Sequence, residues 1–298
     1  MSLQSQRQAL RADAPRSSIR ALDICIARLS NEDEAEVSEF LSVRPLHTVM
    51  LTGFIRDNGL VSPLNRGTFY GCRNRKGDIE GVALIGHATL METTTDRALQ
   101  AFAEITQKCS NTHMIMGEKE RIDEFWNYYA EGGQDVRPAC RELLFELRWP
   151  IAVHEQATEL RQATADDLEL VMAPQAQMAF EESGVNPMEK NPDGFRQRCA
   201  RRIEQGRTWV LVADGKLLFK AEIISDTTEV TYLEGIWVNP DERGKGYGLR
   251  CMSQLAQTLL SRSESLCLLV NEQNTAAQLL YKRAGYKLRS AYDTIFVS

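Results

Sequence analysis

LEGIWVNPDERGKGYGL, residues Leu233–Leu249, is the stretch on which the reading of this chain turns. Apolar residues run to Val238, and Asn239-Pro240-Asp241 then stops a strand, because proline breaks a ladder and favours a turn. Glycines follow at 244, 246 and 248, and a helix with Leu249, Met252, Leu255 and Leu259 on one face comes next. Glycine lets the backbone approach a ligand closely and adopt conformations barred to other residues. The start of the helix offers unpaired N–H groups and the positive end of its dipole. A strand, a glycine-rich turn and a helix start together make an anion site suited to a pyrophosphate.

Two other phosphate motifs compete for this stretch. Walker A is excluded, because G-x-x-x-x-G-K-[ST] is absent. A dinucleotide fingerprint is the stronger rival, since Glu272 lies about 20 residues beyond the glycines, where that motif wants an acid. Its turn, however, opens a parallel βαβ domain. Here three strands joined by short polar turns come first (208–213, 217–225 and 229–238), which predicts an antiparallel meander. Only 50 residues remain after Gly248, too few for a doubly wound sheet.

Beyond the helix come an apolar strand at 266–270, a helix at 275–284 ended by Gly285, and a last strand at 286–297. Upstream, Thr164-x-x-Asp167 reads as a capping-box start for a helix running towards Glu182, with a second helix at 191–205. In this order the chain resembles the GNAT (GCN5-related N-acetyltransferase) superfamily. Arg243-x-x-Gly246-x-Gly248 matches the R/Q-x-x-G-x-G/A signature, and Asn271-x-x-Asn274 with Leu280-Tyr281-x-x-x-Gly285-Tyr286 fits the closing region. The resemblance covers about residues 157–298.

The resemblance implies an α/β (α+β) GNAT fold, with a mixed, mostly antiparallel central sheet flanked by helices. It implies acetyl-CoA as cosubstrate and acyl transfer to a primary amine. Backbone N–H groups of Arg243, Gly244, Lys245, Gly246, Tyr247, Gly248 and Leu249 would hold the pyrophosphate, with Lys245 either adding charge or simply exposed. Ile236, Trp237 and Val238 would pair with the pantetheine arm, one of their N–H groups polarising the thioester carbonyl. Tyr281 would protonate the leaving thiolate, and Asn274, on the same helical face, would also meet the cofactor.

Glu234 is the candidate base. Strand alternation puts it on a face with Tyr232, Ile236 and Val238, and a carboxylate on an apolar face has reason for a raised pKa. The alternative is a cross-strand ion pair with a lysine or arginine. Glu181-Glu182 and the following loop could attract a cationic amine or be merely solvated. The arginines at 196, 198, 201 and 202 read as an exposed helix face.

The first half reads as mixed α/β. Strands are expected at 21–27, 68–73, 79–88, 113–116 and 142–149, and helices at 31–41, 46–56, 96–109 and 119–130. The halves echo one another in a hairpin, helix, strand, helix and last strand. Where the echo would place a glycine-rich turn the first half reads HATLMET, His87–Thr93, so if the halves are related the first has lost its phosphate cradle. A coincidence of common α/β elements is the alternative. This half weakly resembles the vestigial GNAT-like domain of two-domain bacterial members. The expected division is a disordered segment at 1–18, an α/β domain at 19–150 and the GNAT domain at 157–298.

Composition narrows the class. The 298 residues are 43% hydrophobic and 26% charged, as in an ordinary globular protein. A net charge of −6 argues against a general nucleic-acid or anionic-membrane binder. Seven cysteines without a C-x-x-C pair read as free, mostly buried thiols, and the four histidines as unrelated residues, so no metal is expected. No apolar run is long enough to cross a membrane, and the polar start of the chain has no leader-like apolar stretch, so the expected location is the cytoplasm. A monomer and a homodimer are both compatible with the sequence. Two functional alternatives remain: a non-catalytic acyl-CoA-binding module and an NAD(P)-binding oxidoreductase.

Overall fold

The computed structural model describes residues 24–130, 140–152 and 157–297. The expected segment at 1–18, part of the linker and His154 lie outside these residues. The first half runs β1 (Ile24–Arg28), α1 (Glu34–Ser42), α2 (Pro45–Asn58), β2 (Gly67–Asn74), β3 (Ile79–Gly86), β4 (Ala88–Thr93), α3 (Asp96–Gln107), β5 (Met114–Glu118), α4 (Lys119–Ala130) and β6 (Cys140–Leu147). The second runs β7 (Arg161–Gln162), α5 (Leu168–Ser183), α6 (Pro187–Lys190), α7 (Pro192–Glu204), β8 (Thr208–Ala213), β9 (Lys216–Asp226), β10 (Val230–Val238), α8 (Tyr247–Leu259), β11 (Ser265–Asn271), α9 (Thr275–Arg283) and β12 (Lys287–Phe296). Element for element the second half repeats the first, apart from one extra short helix, α6.

All twelve strands join one sheet, in the order β1-β2-β3-β4-β5-β12-β6-β11-β10-β9-β8-β7. Only β4–β5 and β10–β11 pair in parallel, and every other pair is antiparallel. The mixed, mostly antiparallel sheet is the one expected. The halves also exchange their last strands. β6 lies between β11 and β12 of the second half, and β12 lies between β5 and β6 of the first. The division near residue 150 is therefore one of sequence, while the backbone ladder runs unbroken across it.

Local chemistry explains why these segments start where they do. Ser30 and Asp33 form a capping box ahead of α1, and Thr164 and Asp167 form the same box ahead of α5. Arg161 pairs with Asp167 at 2.6 Å and ties β7 to that cap. Pro45 opens α2 in its first turn, and Gly59, φ +75°, closes it. The segment read as a missing turn, His87–Thr93, contains β4, an ordinary strand hydrogen-bonded to β3.

Helices cover the sheet from both sides. On the second half Cys251, Met252, Leu255 and Leu259 of α8 bury against Phe219, Ile223, Leu233 and Leu268. On the opposite face α2 of the first half reaches across, so that Val49, Leu51 and Ile55 share a core with Tyr232, Cys267 and Leu144. Gly53 of α2 lies against Ser225, where a Cβ would come within 2.3 Å of the Ser225 hydroxyl oxygen. That hydroxyl donates to the Val49 carbonyl at 2.7 Å. The contact is close enough that only glycine fits.

None of the seven cysteines is in a disulfide, and Cys72, Cys199, Cys251 and Cys267 are buried. No helix among the described residues is long and apolar enough to cross a membrane. The histidines are less scattered than their spacing implies. His87 and His113 stack with ring centroids 5.0 Å apart, because β4 and β5 start side by side. Among the described residues no group of three or more His, Cys, Asp or Glu could hold a metal ion.

Candidate acyl-donor site

The site begins where two parallel strands part. β10 and β11 pair only from Val230–Ser265 to Leu233–Leu268. Beyond that point β10 stays with β9, while Leu269, Val270 and Asn271 stay with β6. The residues from Glu234 to Val238 are thus left without a partner strand on the β11 side. A V-shaped opening in the sheet leaves backbone N–H and C=O groups to be satisfied by something else.

A bulge sits at the start of this opening. Glu234 faces Glu222 and Trp237 faces Lys220, so three steps along β10 match two along β9. Gly235 takes φ +61°, the left-handed region that favours glycine. The extra residue breaks the expected alternation. Ile236 and Val238 pack with Leu233 against the α8 side, whereas Trp237 packs among Leu168, Ile203 and Val212 on the α5–α7 side. Glu234 therefore does not share a face with Ile236 and Val238, because one inserted residue swaps every side chain after it.

The turn that follows has the expected form. Gly244 and Gly246 have φ of +79° and +87°, and Gly246 is the N-cap of α8 without a side-chain cap. The first turn of α8 carries no acidic residue. A Cβ built on Gly244 would meet nothing within 4 Å, and one on Gly246 only Arg250 Nε at 3.9 Å, so the turn faces open space. At Gly248 a Cβ would press on Val238 and Leu280 at 3.3 and 3.2 Å, so this glycine lets α8 seat against the strand. Arg243 donates from Nε to the Val238 carbonyl at 3.3 Å, and Lys245 pairs with Glu242 at 2.9 Å. Tyr247 lies beneath the Arg250 guanidinium at 4.7 Å, and Leu249 packs at the edge of the α8 core. An uncapped helix start facing open space fits a diphosphate.

Two titratable side chains lie on opposite faces of this part of the sheet. Glu234, half-buried, accepts a 2.6 Å hydrogen bond from the Tyr232 hydroxyl. Burial pushes its carboxyl above the usual carboxylate range, against the opposing pull of the Tyr232 hydroxyl and Arg202. Tyr281 of α9 is buried on the α8 side, beside Phe145 and Tyr286 at ring separations of 6.3 and 6.0 Å, and burial pushes its phenol up. Asn274 is exposed and caps α9, accepting from the Ala277 N–H at 3.1 Å. That cap accounts for Asn274 without a ligand.

One cluster escapes a sequence reading. Lys220, fully buried, donates to Gln175 Oε1 at 2.6 Å, Glu222 Oε1 at 3.2 Å and the Gly235 carbonyl at 3.0 Å. Arg202 of α7 also bonds Glu222, so although its side chain is 37% exposed it belongs to this network as well as to the arginine face. Arg196 does stay outside, paired with Glu169.

The first half has the matching opening, closed. β4 and β5 pair over Ala88–Leu90 and then part. Arg44 fills the gap, bonding Glu92 at 3.0 Å and Glu118 at 2.5 Å, and His47 Nδ1 lies 2.9 Å from the Tyr292 hydroxyl. The remaining cavity is about 30 Å³, room for one water. Only Thr94 and Thr95 separate β4 from α3, and Thr95 caps that helix by accepting from the Ala98 N–H. Asp96 occupies the first turn of that helix, paired with Arg121 at 3.0 Å, so an acid rather than a glycine stands at this helix start. Calorimetric titration is expected to show one CoA bound per chain, and two equivalent sites would contradict this account of the first half.

A parallel pair that parts thus occurs once in each half, open beside the glycine-rich helix start in the second and closed in the first. Residues 174–286 match the acetyltransferase (GNAT) family. In fold, 92% of the chain is GNAT-like. An acetyltransferase of the GNAT family from Colwellia psychrerythraea superposes with a TM-score of 0.60 at 15% identity, covering 92% of this chain and 99% of that one. A tandem GNAT protein from the clavulanic acid biosynthesis pathway gives 0.55 at 13%, over 92% and 98% of the two chains. A GCN5-related N-acetyltransferase from Sphaerobacter thermophilus gives 0.56 at 12%, over 92% and 95%. At these identities the likeness is one of fold. A UPF0039 protein of Schizosaccharomyces pombe is 33% identical over 85 residues, which is 28% of this chain. The chain spans 57% of that relative's length.

Proposed function

We propose that the second half transfers an acetyl group from acetyl-CoA to a primary amine by direct attack. The observation that carries this reading is the opening between β10 and β11 beside an uncapped glycine-rich helix start. The cradle from Arg243 to Leu249 holds the diphosphate, and the free edge of Ile236–Val238 holds the pantetheine arm. Glu234 takes the proton of the attacking amine. It lies on the α5–α7 side of the sheet, the side from which the amine enters. Tyr281, from the other side, gives a proton to the departing thiolate. Burial keeps that phenol protonated, as an acid must be before transfer.

The test is a titration followed by turnover. Acetyl-CoA should stabilise the protein against heat, as a ligand that binds only the folded state does. A panel of amines with thiol detection of released CoA should then yield at least one acceptor. Stabilisation without any acceptor would point to an acyl-CoA-binding module, and stabilisation by NAD(P) alone to an oxidoreductase. With an acceptor in hand, Tyr281→Phe is expected to lower kcat by about tenfold to 100-fold while CoA still binds. Unchanged turnover would remove Tyr281 from the mechanism.

A further inference from the structure

Lys220 is an unusual residue to find where it is. It lies in the middle of β9 with no exposed surface, and burial lowers its pKa, against the pull of Glu222. An ammonium in such a place is costly unless it is paired and hydrogen-bonded. Here every contact is with an oxygen: Gln175 Oε1, Glu222 Oε1 and the Gly235 carbonyl. Glu222, itself buried, is held ionised by Lys220 and Arg202 although its own burial works the other way. The network occupies the back of the bulge, on the α5–α7 face, directly behind the open strand.

The Gly235 carbonyl and the Ile236 N–H belong to one peptide unit, and in a trans peptide they point in opposite directions. Neither residue has a registered partner on β9 or β11. A cation on the carbonyl draws electron density through the amide and makes the N–H on its far side a stronger donor, because hydrogen bonds in a chain polarise one another. We infer that Lys220 is a positioning residue for acyl transfer: its ammonium, bonded to the Gly235 carbonyl, fixes the bulge and strengthens the Ile236 N–H as donor to the thioester oxygen. This rests on the acyl-transfer reading above and adds to it a buried cation that never touches the substrate. The pattern also gives a reason for a lysine at a position where a methionine of similar length would bury at lower cost.

The experiment is isotope-edited infrared spectroscopy of acetyl-CoA labelled with ¹³C at the carbonyl, bound to wild type, Lys220→Met and Lys220→Gln. Wild type should lower the carbonyl stretch relative to free acetyl-CoA. Lys220→Met should lose most of that shift and about tenfold in kcat, with the Kd for CoA changed less than about threefold. Lys220→Gln, a neutral donor, should lie between. An equal carbonyl shift in wild type and Lys220→Met overturns the inference. So does a kcat loss matched by an equal loss of CoA affinity, since that is what a purely structural lysine would give. If wild type itself does not bind acetyl-CoA, it is the acyl-transfer reading that fails, and this is visible before any variant is made. Should both variants fail to fold, ¹⁵N resonances of the wild-type lysine decide: a protonated Lys220 side chain near neutral pH supports the inference, and a neutral amine overturns it.

Discussion

Gly246→Asp is expected to weaken acetyl-CoA binding by about 100-fold or more. Gly246 is the N-cap of α8 at φ +87°, on the turn that faces open space. A carboxylate placed there would face a bound diphosphate, and two like charges about 5 Å apart repel by roughly 3 kcal/mol at an effective dielectric near 20. Each 1.4 kcal/mol is tenfold in affinity. A side chain at positive φ also strains the backbone by about 1 kcal/mol, a cost that appears in thermal stability. Gly77→Asp separates the two effects. Gly77 has φ +95° in the β2–β3 turn, with nothing within 4 Å of a built Cβ. It should show the strain in its melting temperature and leave the Kd untouched. Calorimetry on both variants is the check, and equal affinities for Gly246→Asp and wild type would refute the diphosphate cradle.

Glu234→Gln is expected to lower kcat by about 100-fold, the usual contribution of a positioned base. Glutamine can still accept from the Tyr232 hydroxyl, so the fold should tolerate the change. The pH profile distinguishes a base from a bystander. The working form is the carboxylate, and burial raises its pKa. Wild-type rate should therefore fall as pH drops through a value above the ordinary carboxylate range, and rise to a plateau above it. In Glu234→Gln that acid limb should vanish while the residual rate stays flat. An unaltered kcat with the limb still in place would assign the base elsewhere, to a water chain or to another residue.

The same residues show how far a linear reading reaches. The cradle was legible because all its parts are consecutive: proline to stop the strand, three glycines and an amphipathic helix. Even the repeated element order had a local mark, since Ser30-x-x-Asp33 and Thr164-x-x-Asp167 begin corresponding helices with the same capping box. The bulge was not legible. Gly235 reads as one more residue in an apolar strand, and only its positive φ shows that the faces exchange there. Lys220 and Glu222 left a signal that alternation alone could have raised. Two charges two apart, inside the apolar run 217–224, lie on one face of a strand and need partners there.

By itself the sequence determined what neighbouring residues settle among themselves: most of the helices with their caps, most of the order of elements (β4 and α6 aside), and the glycine-rich turn. Hydrogen bonds and torsions along a short stretch are enough for these. Tertiary structure alone decided the exchange of β6 and β12, the packing of α2 across both halves, the closing of the first opening by Arg44 and the placing of a buried lysine behind Gly235. Each joins residues far apart in the chain. Which strand edges meet, and which charges they enclose, follows from the packing of the whole sheet and has no local signature.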